Sequence, residues 1–136
     1  MILEDIGDLL TSGGVATTVY RGFLPDTPDE AVAVYEYPGQ EPIRAMRSSP
    51  GQPVAERPRV QVVCRAAAWE YDRSRQKAND AWRLMEGLGE RTINGTRYLF
   101  VRTLQSPFLL QRDEAQRVVI AFNAEVLKAL TTSTST

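Results

Sequence analysis

Two stretches of the chain repeat apolar residues at the three- and four-residue spacing of an amphipathic helix. The first covers residues 2–12, and its apolar face consists of Ile2, Leu3, Ile6, Leu9 and Leu10. Its polar face, which is expected to contact water, carries Glu4, Asp5 and Asp8. The second covers residues 72–88, and its apolar stripe consists of Ala78, Ala81, Trp82, Met85 and Leu88. Glycines follow both stretches, and Asp72 is the candidate N-cap of the second, so the pattern predicts two helices.

Two shorter segments, residues 19–24 and 31–37, are predicted to be β-strands. Each ends at a proline, and the second is rich in valine and tyrosine, which favour strands. The linker Pro25–Asp29 has the composition of a turn. The sequence therefore predicts that these two strands pair as a hairpin.

Residues 59–67 alternate apolar and polar positions, as a strand with one buried face does. The positions on the apolar side are Val60, Val62 and Cys64. Cys64 is therefore interpreted as a small buried hydrophobic residue and not as a nucleophile.

The last third of the chain predicts a hairpin followed by a long strand. Asn94-Gly95 stands between two apolar runs and is typical of a type I′ turn, in which both central residues have positive φ. Residues 108–113 are interpreted as a connection without regular structure. Residues 116–127 alternate in the manner of a final strand with one face buried and the other partly covered.

Residues 38–58 are interpreted as one long loop with extended pieces. They contain five of the eight prolines, a density that neither a helix nor an interior strand tolerates. Long loops inside a compact domain are uncommon and usually functional or disordered. Apolar residues and arginines alternate within it, so the loop is a candidate contact segment, with Arg44, Met46 and Arg47 as the candidate interface residues.

The order of these elements predicts an α+β fold, with one mostly antiparallel sheet and two helices packed on one face. At 136 residues the chain has the size of one domain, assigned here to residues 1–130. Residues 131–136 are all serine or threonine and are expected to form a disordered tail.

The composition removes several classes of function. The chain has no histidine and one cysteine, so the usual general base, the Ser-His-Asp triad and cysteine-rich zinc sites are not available. A net charge of −1 argues against a protein that works mainly by neutralising phosphates. The chain starts with acidic residues, which argues against a signal peptide. It contains no apolar run of the length that a membrane span requires, so no span is predicted. No enzymatic activity, cofactor or metal is expected.

Three clusters of charged side chains are weaker candidates for a functional site. The carboxylates of the first helix have the spacing of a solvated face more than that of a metal site. The group Asp26, Asp29 and Glu30 lies in a proline turn without an evident cleft for acid–base chemistry. The basic residues Arg73, Arg75, Lys77 and Arg83 of the second helix are interleaved with acids, which favours a solvated or subunit-facing surface over a nucleic-acid site.

A series of turn and packing signals runs through the second half of the chain in a recognisable order. They are the strand Arg59–Arg65, Tyr71-Asp72, the helix end Leu84–Gly89, the turn segment Thr92–Tyr98, the Ser106-Pro107 break, Arg112-Asp113, and Phe122–Val126. In this order they resemble the tail-terminator proteins of long-tailed bacteriophages, also described as minor capsid or tail-completion proteins. The resemblance covers about residues 55–128.

The resemblance implies a structural protein of the virion, made in the host cytoplasm and placed at the head-proximal end of the tail. Such proteins form a ring, usually of six subunits, that stops tube polymerisation and docks the tail to the head connector. The implied partners are copies of the chain itself, the tail-tube protein and the connector protein, with no membrane and no sequence-specific nucleic acid. Another head–tail completion protein and a nucleic-acid-binding accessory protein stay open as alternatives.

Overall fold

The computed structural model describes residues 2–44 and 53–129, and it places two α-helices with a seven-stranded sheet. The helices are α1 (Ile2–Ser12) and α2 (Tyr71–Glu86). The strands are β1 (Val19–Arg21), β2 (Ala31–Arg44), β3 (Pro53–Arg65), β4 (Arg91–Ile93), β5 (Thr96–Thr103), β6 (Phe108–Arg112) and β7 (Val118–Ala129). The predicted α+β class is confirmed, and the sheet is mixed.

Strand β7 is the centre of the sheet, whose order is β1-β2-β3-β7-β5-β4. On one side β7 pairs with β3. On the other side its second half pairs with β5 and its first half pairs with β6, in both cases antiparallel. The prediction that residues 108–113 form a connection without regular structure is therefore wrong, because Phe108–Arg112 forms the short strand β6.

The predicted hairpin between the first two strands is also wrong, because β1 and β2 are parallel, with Val19 opposite Val32. The chain returns through residues 22–30, which we call the β1–β2 connection, so that both strands start at the same end of the sheet. Parallel pairing needs such a return, and prolines in the linker do not by themselves decide between the two arrangements.

The predicted loop 38–58 is too long, because β2 continues to Arg44 and β3 begins at Pro53. The pairing of the two strands shifts register between Tyr37 and Gln40 and again on either side of Ile43. Bulges are among the places where a sheet accepts proline, and these shifts let the proline-rich segment remain paired. The remainder of the predicted loop, 45–52, and the predicted tail, 131–136, lie outside the described residues.

The main core lies on one face of the sheet, which we call the inner face. Buried side chains of both helices join there with alternate residues of β2, β3 and β7, including the predicted set Val60, Val62 and Cys64. Burial raises the pKa of the Cys64 thiol to about 12, consistent with a packing role. The opposite face, the outer face, carries a smaller cluster of Ala33, Val63, Val119 and Ala121.

The predicted turn at Asn94-Gly95 is confirmed, with φ of 50° and 82°.

The polar face of α1 is not fully exposed to water as predicted. Asn94 Nδ2 donates hydrogen bonds to Asp5 Oδ1 at 2.9 Å and Asp8 Oδ2 at 2.8 Å. Asp5 is fully buried, not exposed as predicted, and accepts a second bond from the Tyr98 hydroxyl. Burial, followed by the hydrogen bond and charge of Asp5, raises the pKa of Tyr98.

The start of α2 differs by two residues from the prediction. Glu70, not Asp72, is the N-cap residue, and its side chain makes no capping hydrogen bond. Asp72 lies instead in the first turn, where its negative charge is favourable to the helix dipole.

Candidate interaction surfaces

The outer face of the sheet is divided into two halves along the strands. At one end, the β1–β2 connection is bound against the small apolar cluster, and Leu24 of that connection packs on it. We call this end the covered half. Further along the same strands, the outward-facing side chains are mostly polar and half-buried, and we call that end the open half.

Arg65 anchors the connection in the covered half. It stands on β3, 3% exposed, and its guanidinium donates to three backbone carbonyls of the connection. Nη2 lies 2.6 Å from Pro25 O and 2.7 Å from Pro28 O, and Nε lies 2.8 Å from Asp29 O. One planar side chain thus satisfies carbonyls that the loop could not satisfy within itself.

Arg117 binds the same connection through its acidic side chains and one backbone carbonyl. Its guanidinium contacts Asp26 Oδ1 at 2.9 Å, Asp29 Oδ1 at 3.1 Å and Asp113 Oδ2 at 2.8 Å. Burial of Asp113 alone would raise its pKa, but the backbone and guanidinium hydrogen bonds from Arg117, with its charge, together outweigh burial and lower the pKa. Two of the three carboxylates considered as candidates for acid–base chemistry, Asp26 and Asp29, are thus ion-paired with Arg117.

The open half is crossed by a row of directly opposed residues on four neighbouring strands. Tyr37 is opposite Arg59, Arg59 is opposite Glu125, and Glu125 is opposite Arg102. Glu125 is only 2% exposed. Its Oε1 accepts a hydrogen bond from Arg102 Nη2 at 2.8 Å, whereas its Oε2 lies 3.6 Å from Arg59 Nε.

The open half is not fully satisfied by its own polar groups. Arg59 Nε, Glu125 Oε2 and Asn123 Oδ1 are buried and have no hydrogen-bond partner among the described residues. Such atoms are uncommon in a finished protein interior and carry a free-energy cost. Burial also raises the pKa of Tyr37, opposed by the charge of Arg59 and reinforced by that of Glu125. In its unsatisfied polar atoms, this half resembles a surface whose remaining hydrogen bonds are supplied by a binding partner.

Large apolar side chains are exposed mainly near the margins of the sheet. Phe23 follows β1 and is 55% exposed, and β6 carries Leu109 at 54% and Leu110 at 42%. Trp69, after β3, is 73% exposed with a left-handed φ of 68°, and the guanidinium carbon of Arg112 lies 5.6 Å from its ring centre. Exposed tryptophan and arginine are the residue types enriched at the centres of protein interfaces.

Of the three residues named from sequence alone, Arg44 is in the described part of the chain. Arg44 is the last residue of β2, whereas Met46 and Arg47 lie outside the described residues. The open half begins in the same strands, a few residues away from Arg44. Sequence reasoning missed Arg59, Glu125 and Arg102, although charged residues at outward positions of apolar strands were a usable signal.

The outer side of α2 is less available for nucleic acid than its composition indicates. Arg73 is hydrogen-bonded to Glu30, and Lys77 Nζ lies 3.2 Å from Glu30 Oε2 and 2.9 Å from Val15 O. Two of the four basic residues considered there are therefore engaged with Glu30 of the β1–β2 connection, and Lys77 also with Val15, which follows α1.

Across 2–44 and 53–129, no cluster of three or more His, Cys, Asp or Glu side chains could hold a metal ion. In those same ranges, neither helix has the length and hydrophobicity required to span a bilayer.

Comparison with known proteins supplies the family. A sequence model described as bacteriophage tail terminator protein matches residues 2–129, nearly the whole chain. The chain belongs to the bacteriophage tail terminator family. The resemblance seen in the second half of the sequence is thereby confirmed, and it extends through α1, β1 and β2.

A solved structure shares the fold of this tail terminator. It matches with a TM-score of 0.56 at 13% identity, over 97% of this chain and 93% of the other. No curated protein sequence matches. Membership of the family makes the protein a structural component of the phage tail, and hence of the virion.

Proposed function

We propose that this tail terminator assembles into a ring of six subunits that caps the tail tube and docks it to the head connector. The observation that carries the proposal is the family match over residues 2–129. Two features of the subunit support a role in assembly. These are the unsatisfied polar atoms of the open half and the exposed apolar residues near the sheet margins.

The tube-binding surface is proposed to combine the open half with the end of the β2–β3 pair. The row of Arg59, Glu125 and Arg102 crosses the strands and meets β2 at Tyr37, and Arg44, which is opposite Pro53, lies further along β2. Arg44, Met46 and Arg47 stay the candidate contact residues of that end. A cap must bind one tube subunit face and refuse another, and a mixed surface of charged and apolar groups provides such selectivity.

The direct test is native mass measurement of the protein with and without its tail-tube protein. The expected result is a discrete six-subunit particle that binds the end of the tube and stops its growth. A triple variant R44S/M46S/R47S should lower tube binding by at least about tenfold, the equivalent of 1.4 kcal/mol. A double variant R83S/R91S removes the same charge at exposed positions and should bind normally.

The outcomes separate the functions under consideration. A chain that stays monomeric and ignores the tube contradicts the proposal. A ring that binds the connector and not the tube identifies another head–tail completion protein. Binding to DNA that weakens steeply with salt would instead favour a nucleic-acid accessory role.

A further inference from the structure

We propose that neighbouring subunits join edge to edge, with the free edge of β6 in one copy pairing beside β1 of the next copy. The inference rests on the proposed ring and names the contact that would build it. Its occupant is a second copy of this chain.

Strand β6 has one edge that no described strand pairs with, and few charged residues protect that edge. It pairs with β7 on one side, and none of the described strands pairs with its other side. Natural sheets protect such edges with charges, prolines or covering elements. Here the central residues are Leu109 and Leu110, both exposed, and a charged side chain appears only at Arg112.

Strand β1 forms the opposite margin of the same sheet. It pairs only with β2, so within the part of the chain that the structure describes no strand occupies its second edge. Phe23, two residues beyond its end, is exposed and held edge-to-face against Tyr20 with ring centres 5.5 Å apart. The aromatic pair is therefore positioned at the margin as a rigid apolar group.

A second copy fits these two margins better than an unrelated chain. A ring uses head-to-tail contacts, which require two different patches on each subunit. The β1 and β6 margins are such patches, since each has an open backbone edge and an exposed apolar group. Pairing them would satisfy backbone groups on both strands and bury Phe23 and the two leucines, as in strand addition.

The first test uses one variant at each margin. Leu110→Lys on β6 and Phe23→Lys beside β1 should each lower the assembled fraction by at least about tenfold, because a charge at the edge opposes pairing. Gln76→Lys, which adds the same charge to the exposed side of α2, should assemble like the unmodified chain. Circular dichroism would check that each variant is folded.

An equimolar mixture of the two margin variants is the sharper measurement. Each variant retains one intact margin, so the mixture should form a one-to-one dimer and nothing larger. If copies instead joined through two identical margins, one variant would dimerise by itself and the mixture would add no new species. That result would overturn the head-to-tail pairing.

Cysteine cross-linking gives a second measurement that does not depend on the lysine variants folding. Arg21→Cys and Leu110→Cys, mixed as separate chains and oxidised, should form a mixed disulfide far more efficiently than either variant with Gln76→Cys. Cys64 is buried and does not compete. A ring that forms normally without this cross-link, or with Leu110→Lys, overturns the inference and leaves the proposed function intact. A wild-type chain that forms no ring with or without tube protein overturns both.

Discussion

The two halves of the outer sheet face use the same residue type in different ways. In the covered half, Arg65 and Arg117 bind backbone carbonyls of the β1–β2 connection, and Arg117 also pairs with the carboxylates of Asp26 and Asp29 in the connection and with Asp113 outside it. In the open half, Arg59 and Arg102 flank the buried carboxylate of Glu125, which is hydrogen-bonded on one oxygen only. Both halves lie on the same strands and differ in whether the chain supplies its own cover.

The two halves differ in whether the monomer alone satisfies their charged and polar groups. The covered half has satisfied its arginines with its own loop, so its charges stabilise the monomer. The open half buries a carboxylate of which one oxygen has no hydrogen bond, and that arrangement is poor evidence for monomer stability. Partner binding is a reason to retain such a row. Substitution of arginines in each half in turn tests this difference.

The largest effect is expected for Arg65→Met. The substitution keeps an unbranched apolar stem at the site and removes the hydrogen bonds of the guanidinium to the connection. We expect the free energy of unfolding to fall by about 3 kcal/mol, because bonds from a charged donor contribute about 1.5–3 kcal/mol each and the freed carbonyls recover part of this by hydration. Urea denaturation measures the loss, with Arg83→Met on the exposed side of α2 as the control. A loss no greater than the control's would show that the connection is not held by Arg65.

A smaller and pH-dependent effect is expected for Asp113→Asn. The folded pKa of Asp113 is lowered, so its ionised form stabilises the native state above the ordinary aspartate pKa of about 4. That stability should disappear as the pH falls through the lowered folded pKa. The stability difference between the unmodified chain and the variant should therefore be largest near neutral pH and shrink in acid. Asp80→Asn on exposed α2 is the control, and an unchanged difference down to pH 2 would contradict the role of Arg117.

Much of the fold could be predicted from the sequence because local signals and packing agreed there. The period of α1, the turn at Asn94-Gly95 and the alternation of Val60, Val62 and Cys64 each have a local cause. The parallel pairing of β1 and β2 has no local signal. It depends on Arg65 and Arg117, which bind the connection from about 36 to 91 residues away in the chain.

The candidate surfaces could be predicted less well for the same reason. The proline density of residues 38–58 indicates a break in regular structure, yet partnering by β3 keeps residues up to Arg44 in the sheet. Asp5 has the spacing of a water-facing residue and is buried because Tyr98 and Asn94 come to it from a distant hairpin. The row at Glu125 arises from strand register, which the sequence of a single strand does not contain.

The smallest effect on monomer stability is expected for the double variant R59M/E125M, which separates the role of the open half in stability from its role in tube binding. Unbranched apolar side chains replace two ions whose Arg59 Nε and Glu125 Oε2 atoms are 3.6 Å apart without a hydrogen bond between them. Exchanging a poorly satisfied buried pair for apolar side chains is often neutral or stabilising, so we expect the free energy of unfolding to change by less than about 1 kcal/mol. Tube binding should nevertheless fall by at least about tenfold, because the proposed docking surface loses its charges. A loss of stability as large as that of Arg65→Met would mean that the open half stabilises the monomer, and unchanged tube binding would remove it from the docking surface.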